Sequence, residues 1–254
     1  MKIGFIGCGN MATAMLKGIL KSGEVEASDM IASAKSDKTR EKIEKELGIR
    51  KADNNAQVVD FADVVFLAVK PQFLEGVLDE IRGSVKAGQI FISIAPGKTL
   101  QWLGERLGEN TKVIRTMPNT PAMVGEGMTA LCVNELVTEE ETALAVKLCD
   151  TFGKTEVIPE HLMDAVVGVS GSSPAYVFMF LEAMADAAVA DGMPRAQAYK
   201  FAAQSVLGSA KLMQETGKHP GELKDMVCSP AGTTIQAVRV LEEKGFRSAV
   251  IEAQ

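Results

Sequence analysis

The sequence predicts an α/β fold in which a doubly wound parallel sheet is followed by an all-helical domain. Three observations carry this prediction. Short apolar runs alternate with helical patterns from residue 1 to about residue 158, and a glycine-rich turn joins the first run to the first helix. Beyond Pro159 the pattern is helical only. We therefore expect one domain over residues 1–159 and a second, dimerising domain over residues 160–254.

The glycine-rich turn is the most informative motif. Residues 2–6 form an apolar strand, Gly7-Cys8-Gly9-Asn10-Met11-Ala12 follows at once, and residues 11–20 carry apolar side chains at helical spacing. This is the G-x-G-x-x-A form of the dinucleotide-binding turn of Rossmann-type sheets. Its first glycine allows a tight turn, its second lets the backbone approach a pyrophosphate, and its alanine keeps the helix close to the sheet. A purely structural turn is the alternative interpretation.

The end of the second predicted strand, residues 29–33, indicates which dinucleotide fits. NAD enzymes usually place Asp or Glu there to bind the ribose 2′-hydroxyl. This chain has Ser33 and Lys35 instead, and a lysine with serines can accept a 2′-phosphate. We therefore expect NADPH to be preferred, with NADH as an alternative cofactor. A solvated Lys35 without a ligand is the competing interpretation.

Other parts of the predicted site follow from the sheet. Ligands of open parallel sheets bind beyond the carboxyl ends of the strands, and residues 63–69 and 90–94 read as buried strands. Asn55, which opens a small helix, is expected to reach the adenosine side. The predicted cofactor-binding residues are Ile6, Gly7, Cys8, Gly9, Asn10, Met11, Ser33, Lys35, Asn55, Ala68, Val69, Lys70, Pro71, Ala95, Pro96 and Gly97.

The remaining elements of the first domain have clear signals. Residues 36–47 read as an exposed helix, and residues 112–114, 128–133 and 154–158 read as strands. Residues 115–121 read as a turn-rich connection. Thr138 with Glu141 forms a capping-box pattern that predicts a helix to about residue 152.

Composition narrows the class of protein. The 254 residues are 46% hydrophobic and 24% charged, which is typical of a folded soluble protein, and the net charge of −6 argues against a nucleic-acid partner. No apolar run reaches the length of a membrane span, and the N-terminus reads as a strand rather than a signal peptide. Four cysteines lack metal-ligand spacing and there are two histidines, so we expect reduced thiols, no metal site and a cytoplasmic protein.

The helical half predicts an oligomer. Residues 170–174 read as a break, with Ser173 and Pro174 as N-cap and first helical residue. The following helix, residues 174–191, carries only Glu182 and Asp186 among apolar residues before its last residue, Asp191. Such a helix must be buried on most sides, and a short helical segment offers little interior of its own. We expect a homodimer with interlocked helices, whereas a monomer packed against its own sheet is the alternative.

A second chemical motif lies near the C-terminus. Ser229-Pro230-Ala231-Gly232-Thr233-Thr234 precedes a helical pattern, so Gly232, Thr233 and Thr234 would present free backbone N–H groups at a helix start. That arrangement could bind a small carboxylate. An ordinary N-cap formed by either threonine is the alternative.

Together the motifs resemble those of the pyrroline-5-carboxylate reductase family over essentially the whole chain. The matching pieces are the glycine-rich turn, Ala68-Val69-Lys70-Pro71-Gln72, Met117-Pro118-Asn119-Thr120-Pro121, His219 through Asp225, Ser229 through Thr234, and Gly245-Phe246-Arg247-Ser248. Two positions depart from the family's usual glycine: Ala231 and Ser173. Pro96 and Lys98 also differ from the family's common loop. The two glycine replacements matter if their backbone needs a positive φ.

The resemblance implies reduction of the cyclic imine 1-pyrroline-5-carboxylate to L-proline by hydride transfer from NAD(P)H, the last step of proline biosynthesis. It implies that Gly232, Thr233 and Thr234 bind the substrate carboxylate opposite the nicotinamide, and that the Thr234 hydroxyl donates to the imine nitrogen. Larger rings of dimers are left open. One rival is a β-hydroxyacid dehydrogenase, but its usual helical-domain lysine has no counterpart in residues 174–191. A non-catalytic nucleotide-sensing module is the other.

Overall fold

The computed structural model describes residues 1–254 apart from the Lys42 side chain. It divides into two compact units, Met1–Gly171 and Ser172–Gln254. The first unit contains the sheet and the second contains helices.

The first unit is built on one eight-stranded sheet, as counted over the described chain. The strand order is β3-β2-β1-β4-β5-β6-β7-β8. All neighbouring pairs are parallel except β6 with β7. The strands are β1 Ile3–Ile6, β2 Met30–Ser33, β3 Arg50–Lys51, β4 Val64–Leu67, β5 Ile90–Ser93, β6 Lys112–Met117, β7 Gly127–Val133 and β8 Gly153–Val157. The predicted doubly wound α/β class is confirmed, with a sheet that is mixed rather than all parallel.

The central strands are buried on both faces, which is why they read as continuous apolar runs. Every residue of β1, β2, β4 and β5 is buried. Side chains alternate between two apolar clusters, so Phe5 and Phe66 stack on one face with ring centroids 4.5 Å apart, while Ile6 packs on the other.

Seven helices accompany the sheet in the described part of this unit. They are α1 Asn10–Ser22, α2 Asp37–Lys45, α3 Asn55–Phe61, α4 Pro71–Ile81, α5 Leu100–Leu107, α6 Glu139–Asp150 and α7 Met163–Val166. The predicted capping box opens α6: the Thr138 hydroxyl accepts from the Glu141 N–H, and the Glu141 carboxylate accepts from the Thr138 N–H. The signal at its N-terminus therefore placed the start of this helix correctly, and the helix ends at Asp150, close to the predicted residue 152.

The prediction of a turn from residue 115 is wrong. Residues 115–117 continue β6, and the chain turns only afterwards, through a 3₁₀-helix at Thr120–Val124. Arg115 is buried there because its guanidinium pairs with Glu160, 2.9 Å away. A charged residue shortly before Pro118 and Pro121 gave no sequence signal of a buried strand. The short strand β3 was not predicted either.

The second unit comprises five helices in the described chain: α8 Ser173–Ala190, α9 Arg195–Thr216, α10 Pro220–Val227, α11 Thr233–Glu243 and α12 Phe246–Ala253. The predicted break at residues 170–174 is wrong. Val167–Ser172 forms a π-helix that leads directly into α8, and Ser172 rather than Ser173 precedes its first residue. Pro174 lies in the first turn of α8, where a missing N–H is tolerated.

The long helices of this unit expose apolar side chains. Among the described side chains of α8 and α9, only Ala185, Ala198 and Ala202 are buried, whereas Phe178 and Phe201 are 65% and 68% exposed.

The stretch Glu160–Ala190 is long and apolar enough to cross a membrane by length and composition, contrary to the expectation that no run reaches that length. A helix buried in a protein core meets the same two criteria.

Candidate active site

The glycine-rich turn has the geometry that the sequence predicts. Gly7 has φ +94°, and a Cβ there would lie 2.7 Å from the Ala68 carbonyl oxygen, so a side chain is excluded. Gly9 caps α1, and a Cβ there would meet nothing within 4 Å. The backbone at the start of α1 thus faces open space, whereas Ala12 is buried behind it. This combination leaves room for a diphosphate at a helix N-terminus.

A crevice of about 450 Å³ extends from this turn along the ends of β2 and β4. It brings together five predicted residues: Gly7, Ser33, Lys35, Asn55 and Val69. A neighbouring cavity of about 390 Å³ contains three more, Cys8, Gly9 and Asn10. The other predicted cofactor residues, Ile6, Met11, Ala68, Lys70, Pro71, Ala95, Pro96 and Gly97, line neither cavity. The Ile6 and Ala95 side chains are buried, so these two residues could reach a ligand only through their backbones.

Sequence reasoning missed several residues of the crevice. Arg40 lines it and is held by a 2.8 Å hydrogen bond from Nε to the Ala34 carbonyl oxygen. Phe73, Val77 and Glu80 line it from one face of α4. Their 4- and 3-residue spacing was a detectable signal, since such residues share a helix face. The Lys35 ammonium lies 5.6 Å from the Phe73 ring centroid. Lys35 and Arg40 both line the crevice, which therefore contains two cations.

Several contacts hold the end of the β5–α5 loop that lies nearest α5. Gly97 has φ +70°, and the Lys98 ammonium lies 4.0 Å from the Trp102 ring centroid on α5. At the start of α5, the Leu100 N–H donates to the Glu160 carboxylate oxygen that also accepts from Arg115. These contacts anchor this end of the loop beside the carboxyl end of the sheet.

The second motif forms the predicted helix start with two differences. Helix α11 begins at Thr233, Gly232 is its N-cap, and the cap has no side-chain hydrogen bond, so neither threonine acts as an ordinary N-cap. The prediction of a free Gly232 N–H is wrong, because that group donates to the Ser229 carbonyl oxygen at 3.0 Å. Thr233 is exposed and Thr234 is half-buried. The candidate donors are therefore the backbone of the first turn and the Thr234 hydroxyl.

The residue before this cap adopts a conformation that favours glycine. Ala231 has φ +58° and is the only non-glycine residue with positive φ in the described chain. Ser173, the second departure from the family pattern, lies in regular helix. The backbone has a positive φ, the condition under which replacement of glycine matters, at Ala231 and not at Ser173.

We expect Ala231→Gly to raise the free energy of unfolding by about 0.5–1 kcal/mol. A left-handed conformation costs an L-residue about 1–2 kcal/mol, and the greater freedom of glycine in the unfolded chain offsets part of the gain. Urea unfolding measures the difference. Ser173→Gly is the matched control, since glycine inside a helix should lower stability by about 0.5 kcal/mol. A loss of stability in Ala231→Gly would contradict this account.

Two of the buried thiols, Cys132 and Cys149, are not poised for chemistry. Burial raises the pKa of Cys132 to about 11, with a further contribution from Glu160, and burial raises the pKa of Cys149 to about 12. Both thiols therefore remain protonated near neutral pH. Among the described side chains, no group of three or more His, Cys, Asp or Glu residues is arranged to hold a metal ion.

Comparison with known proteins identifies the family. The family model for pyrroline-5-carboxylate reductase dimerisation matches residues 160–254, and that for NADP oxidoreductase, coenzyme F420-dependent, matches residues 2–97. The chain is 57% identical to the pyrroline-5-carboxylate reductase of Escherichia coli, over 99% of this chain and 94% of that protein. The chain belongs to the pyrroline-5-carboxylate reductase family. The resemblance inferred from the motifs is confirmed, and the chain is an oxidoreductase of this family.

Relatives and solved structures of the family agree over the full length. The pyrroline-5-carboxylate reductase of Methanosarcina acetivorans is 45% identical over 99% of this chain and 93% of its own. The structure of the Coxiella burnetii reductase superposes with a TM-score of 0.93 at 33% identity, covering 99% and 94% of the two chains. The Plasmodium falciparum enzyme, solved with NADP bound, gives a TM-score of 0.88 at 29% identity, covering 100% and 94%. A prephenate dehydrogenase at 14% identity and a TM-score of 0.59 shares the fold alone.

Proposed function

We propose that this chain reduces 1-pyrroline-5-carboxylate to L-proline by hydride transfer from NAD(P)H, the last step of proline biosynthesis. The observation that carries the proposal is 57% identity to a named reductase over nearly the whole chain, with both predicted motifs present. Family membership favours this function over a β-hydroxyacid dehydrogenase and over a nucleotide sensor.

The first unit has the features that a nicotinamide dinucleotide requires. The open space at Gly9 would take the diphosphate, and Phe73 and Val77 offer an apolar wall for the adenine. When bound, the nicotinamide supplies the hydride. We propose that Ala68–Pro71 and Ala95–Gly97 hold the ribose and nicotinamide end, and that the whole predicted cofactor set serves this site. Lys35 and Arg40 favour NADPH, because both cations lie where a 2′-phosphate would be bound.

A charge reversal at Lys35 tests the cofactor preference. We expect Lys35→Glu to raise the dissociation constant of NADPH about 10- to 100-fold, because a charged hydrogen bond is lost and a like charge is introduced. NADH, which lacks the 2′-phosphate, should bind nearly as before. Fluorescence titration measures both constants. Lys21→Glu reverses the charge of an exposed lysine near the C-terminus of α1 and controls for the change in net charge. Equal weakening of both cofactors would refute the role of Lys35.

The helical unit supplies the substrate socket in this proposal. The substrate carboxylate would accept hydrogen bonds from backbone N–H groups in the first turn of α11, which begins with Thr233 and Thr234. Gly232, the N-cap, has no side chain that would block the carboxylate. The Thr234 hydroxyl would donate to the imine nitrogen and orient the ring. An imine that enters already protonated needs no strong acid from the protein, and its N–H would then donate to the Thr234 hydroxyl oxygen instead of accepting from it. After the hydride reaches C5, the ring nitrogen carries the proton as the amine of proline.

The exposed apolar helices point to the assembly. We propose that a second copy covers the faces of α8 and α9 in a homodimer with interlocked helices, formed by residues 160–254, while residues 1–159 bind the cofactor. The dimerisation model matched to residues 160–254 supports this. A larger ring of dimers would extend the same assembly. We further propose a cytoplasmic protein without membrane or nucleic-acid partners.

A direct assay tests the activity. Addition of 1-pyrroline-5-carboxylate to the enzyme with NADPH should consume NADPH and form L-proline in equal amounts. Tight NADPH binding without turnover would favour a sensor. Turnover of a β-hydroxyacid with NADP⁺, and none with the imine, would favour the dehydrogenase.

A further inference from the structure

The adenosine end of the crevice carries two carboxylates, Glu80 and Asp53, beside its two cations. Glu80, on α4, lines the crevice together with Lys35, Arg40 and Asp53. The Asn55 side-chain amide donates to Glu80 Oε2 at 2.7 Å, and the Ser33 hydroxyl donates to Asn55 Oδ1 at 2.6 Å. Glu80 is therefore connected by two successive hydrogen bonds to the residue at the end of β2.

This chain of hydrogen bonds has a fixed direction. A carboxylate can only accept hydrogen bonds, so Glu80 requires the NH₂ group of Asn55 to face it. The carbonyl oxygen of Asn55 then faces Ser33 and binds its hydroxyl proton. Ser33 is left with lone pairs, which can accept a hydrogen bond from a ligand but cannot donate one.

That direction suits a ribose hydroxyl better than a phosphate. A 2′-hydroxyl can donate to the Ser33 oxygen, whereas a 2′-phosphate presents acceptor oxygens that need donors. The negative charge of Glu80 also opposes the 2′-phosphate within the same crevice. Both effects act against the attraction that Lys35 and Arg40 provide.

We propose that Glu80 is a specificity-determining residue that orients Asn55 and Ser33 for a ribose hydroxyl and so limits the preference for NADPH over NADH. The inference rests on the proposed cofactor site. It assigns to the end of β2 a hydroxyl acceptor in place of the acidic residue usual in NAD enzymes. The enzyme can then bind both cofactors.

Glu80→Gln tests this with little change in side-chain shape. Loss of the charge, together with an amide that can face Asn55 either way, should raise the ratio of NADH to NADPH dissociation constants about three- to tenfold. Fluorescence titration of both cofactors measures this without any turnover. Glu80→Asp, which keeps the charge, should return the ratio towards that of the unsubstituted enzyme. Asp79→Asn, an equal charge change on the exposed neighbouring residue, should leave it unchanged.

Ser33→Ala gives a second test that leaves Glu80 and its helix in place. Removal of the acceptor should weaken NADH more than NADPH and raise the same ratio. An unchanged or lower ratio in both Glu80→Gln and Ser33→Ala would overturn the inference. Failure of the proposed function is distinguished from this, because it would appear as absence of imine turnover while the binding ratio still responds to Glu80.

Discussion

Thr234→Ala should lower kcat for reduction of the imine about 10²- to 10³-fold, the usual loss when one positioned donor to a reacting group is removed. The hydroxyl lies at the start of α11, and the N-cap Gly232 offers no side chain that could replace it. NADPH binding should be little changed, because Thr234 lines neither cavity of the first unit. Steady-state kinetics combined with NADPH titration measures both quantities.

Two variants separate chemistry from structure at this helix start. Thr234→Ser keeps the hydroxyl and should recover most of the activity, whereas Thr233→Ala should affect the KM for the imine more than kcat. Since the α11 cap uses no side-chain hydrogen bond, Thr234→Ala should unfold at nearly the original temperature. Parallel losses of kcat, NADPH affinity and stability would reassign Thr234 to a structural role.

The first unit was predictable because its strands are buried on both faces. Apart from Gly4 and Ser93, β1, β4 and β5 consist of large apolar residues, and such runs are typical of strands that are covered on both faces. The glycine-rich turn carried the nucleotide site for a similar reason, since Gly7 occupies a position where any side chain collides with Ala68. Local requirements of this kind leave a residue signature.

Features that depend on pairing across long distances left no such signature. The antiparallel direction of β7 is decided by the turn after Met117, and alternation of side chains is the same in either direction. The π-helix at Val167–Ser172 is stabilised by partners elsewhere, including the Asn119 side chain that donates to the Ser170 carbonyl oxygen at 3.0 Å. Gly171 and Pro174 indicated a break at residues 170–174, whereas the chain stays helical there.

The candidate site was predictable in part for the same reason. Ser33 ends β2 and Lys35 follows it, and both were identified from that position alone. Arg40 and Glu80 reach the crevice from α2 and α4, and only the packing of those helices brings them there. Position at the carboxyl end of a strand identifies the residues that the strand itself brings to the crevice, but it does not identify side chains that approach from the flanking helices.

Phe178→Glu should abolish the folded dimer. The ring is 65% exposed in the single chain, on an α8 helix that buries only Ala185, so a partner must cover it if the proposed dimer is correct. Loss of a buried Phe costs about 3–5 kcal/mol, and a symmetric dimer loses this twice and also buries two carboxylates. Light scattering should show dimers, or larger assemblies of them, without the substitution. With it, we expect monomer that unfolds at much lower temperature.

Val124→Glu is the control for a new surface charge, because Val124 is 78% exposed and lies in the first unit, outside the proposed dimerisation domain of residues 160–254. It should leave the assembly and the unfolding temperature unchanged. The unfolding temperature of the unsubstituted protein should also fall on dilution, since the stability of an obligate dimer depends on protomer concentration. A stable monomer at low concentration would remove the shared-helix proposal. Recovery of the unsubstituted protein with lipid vesicles would instead assign the exposed face of α8 to a membrane.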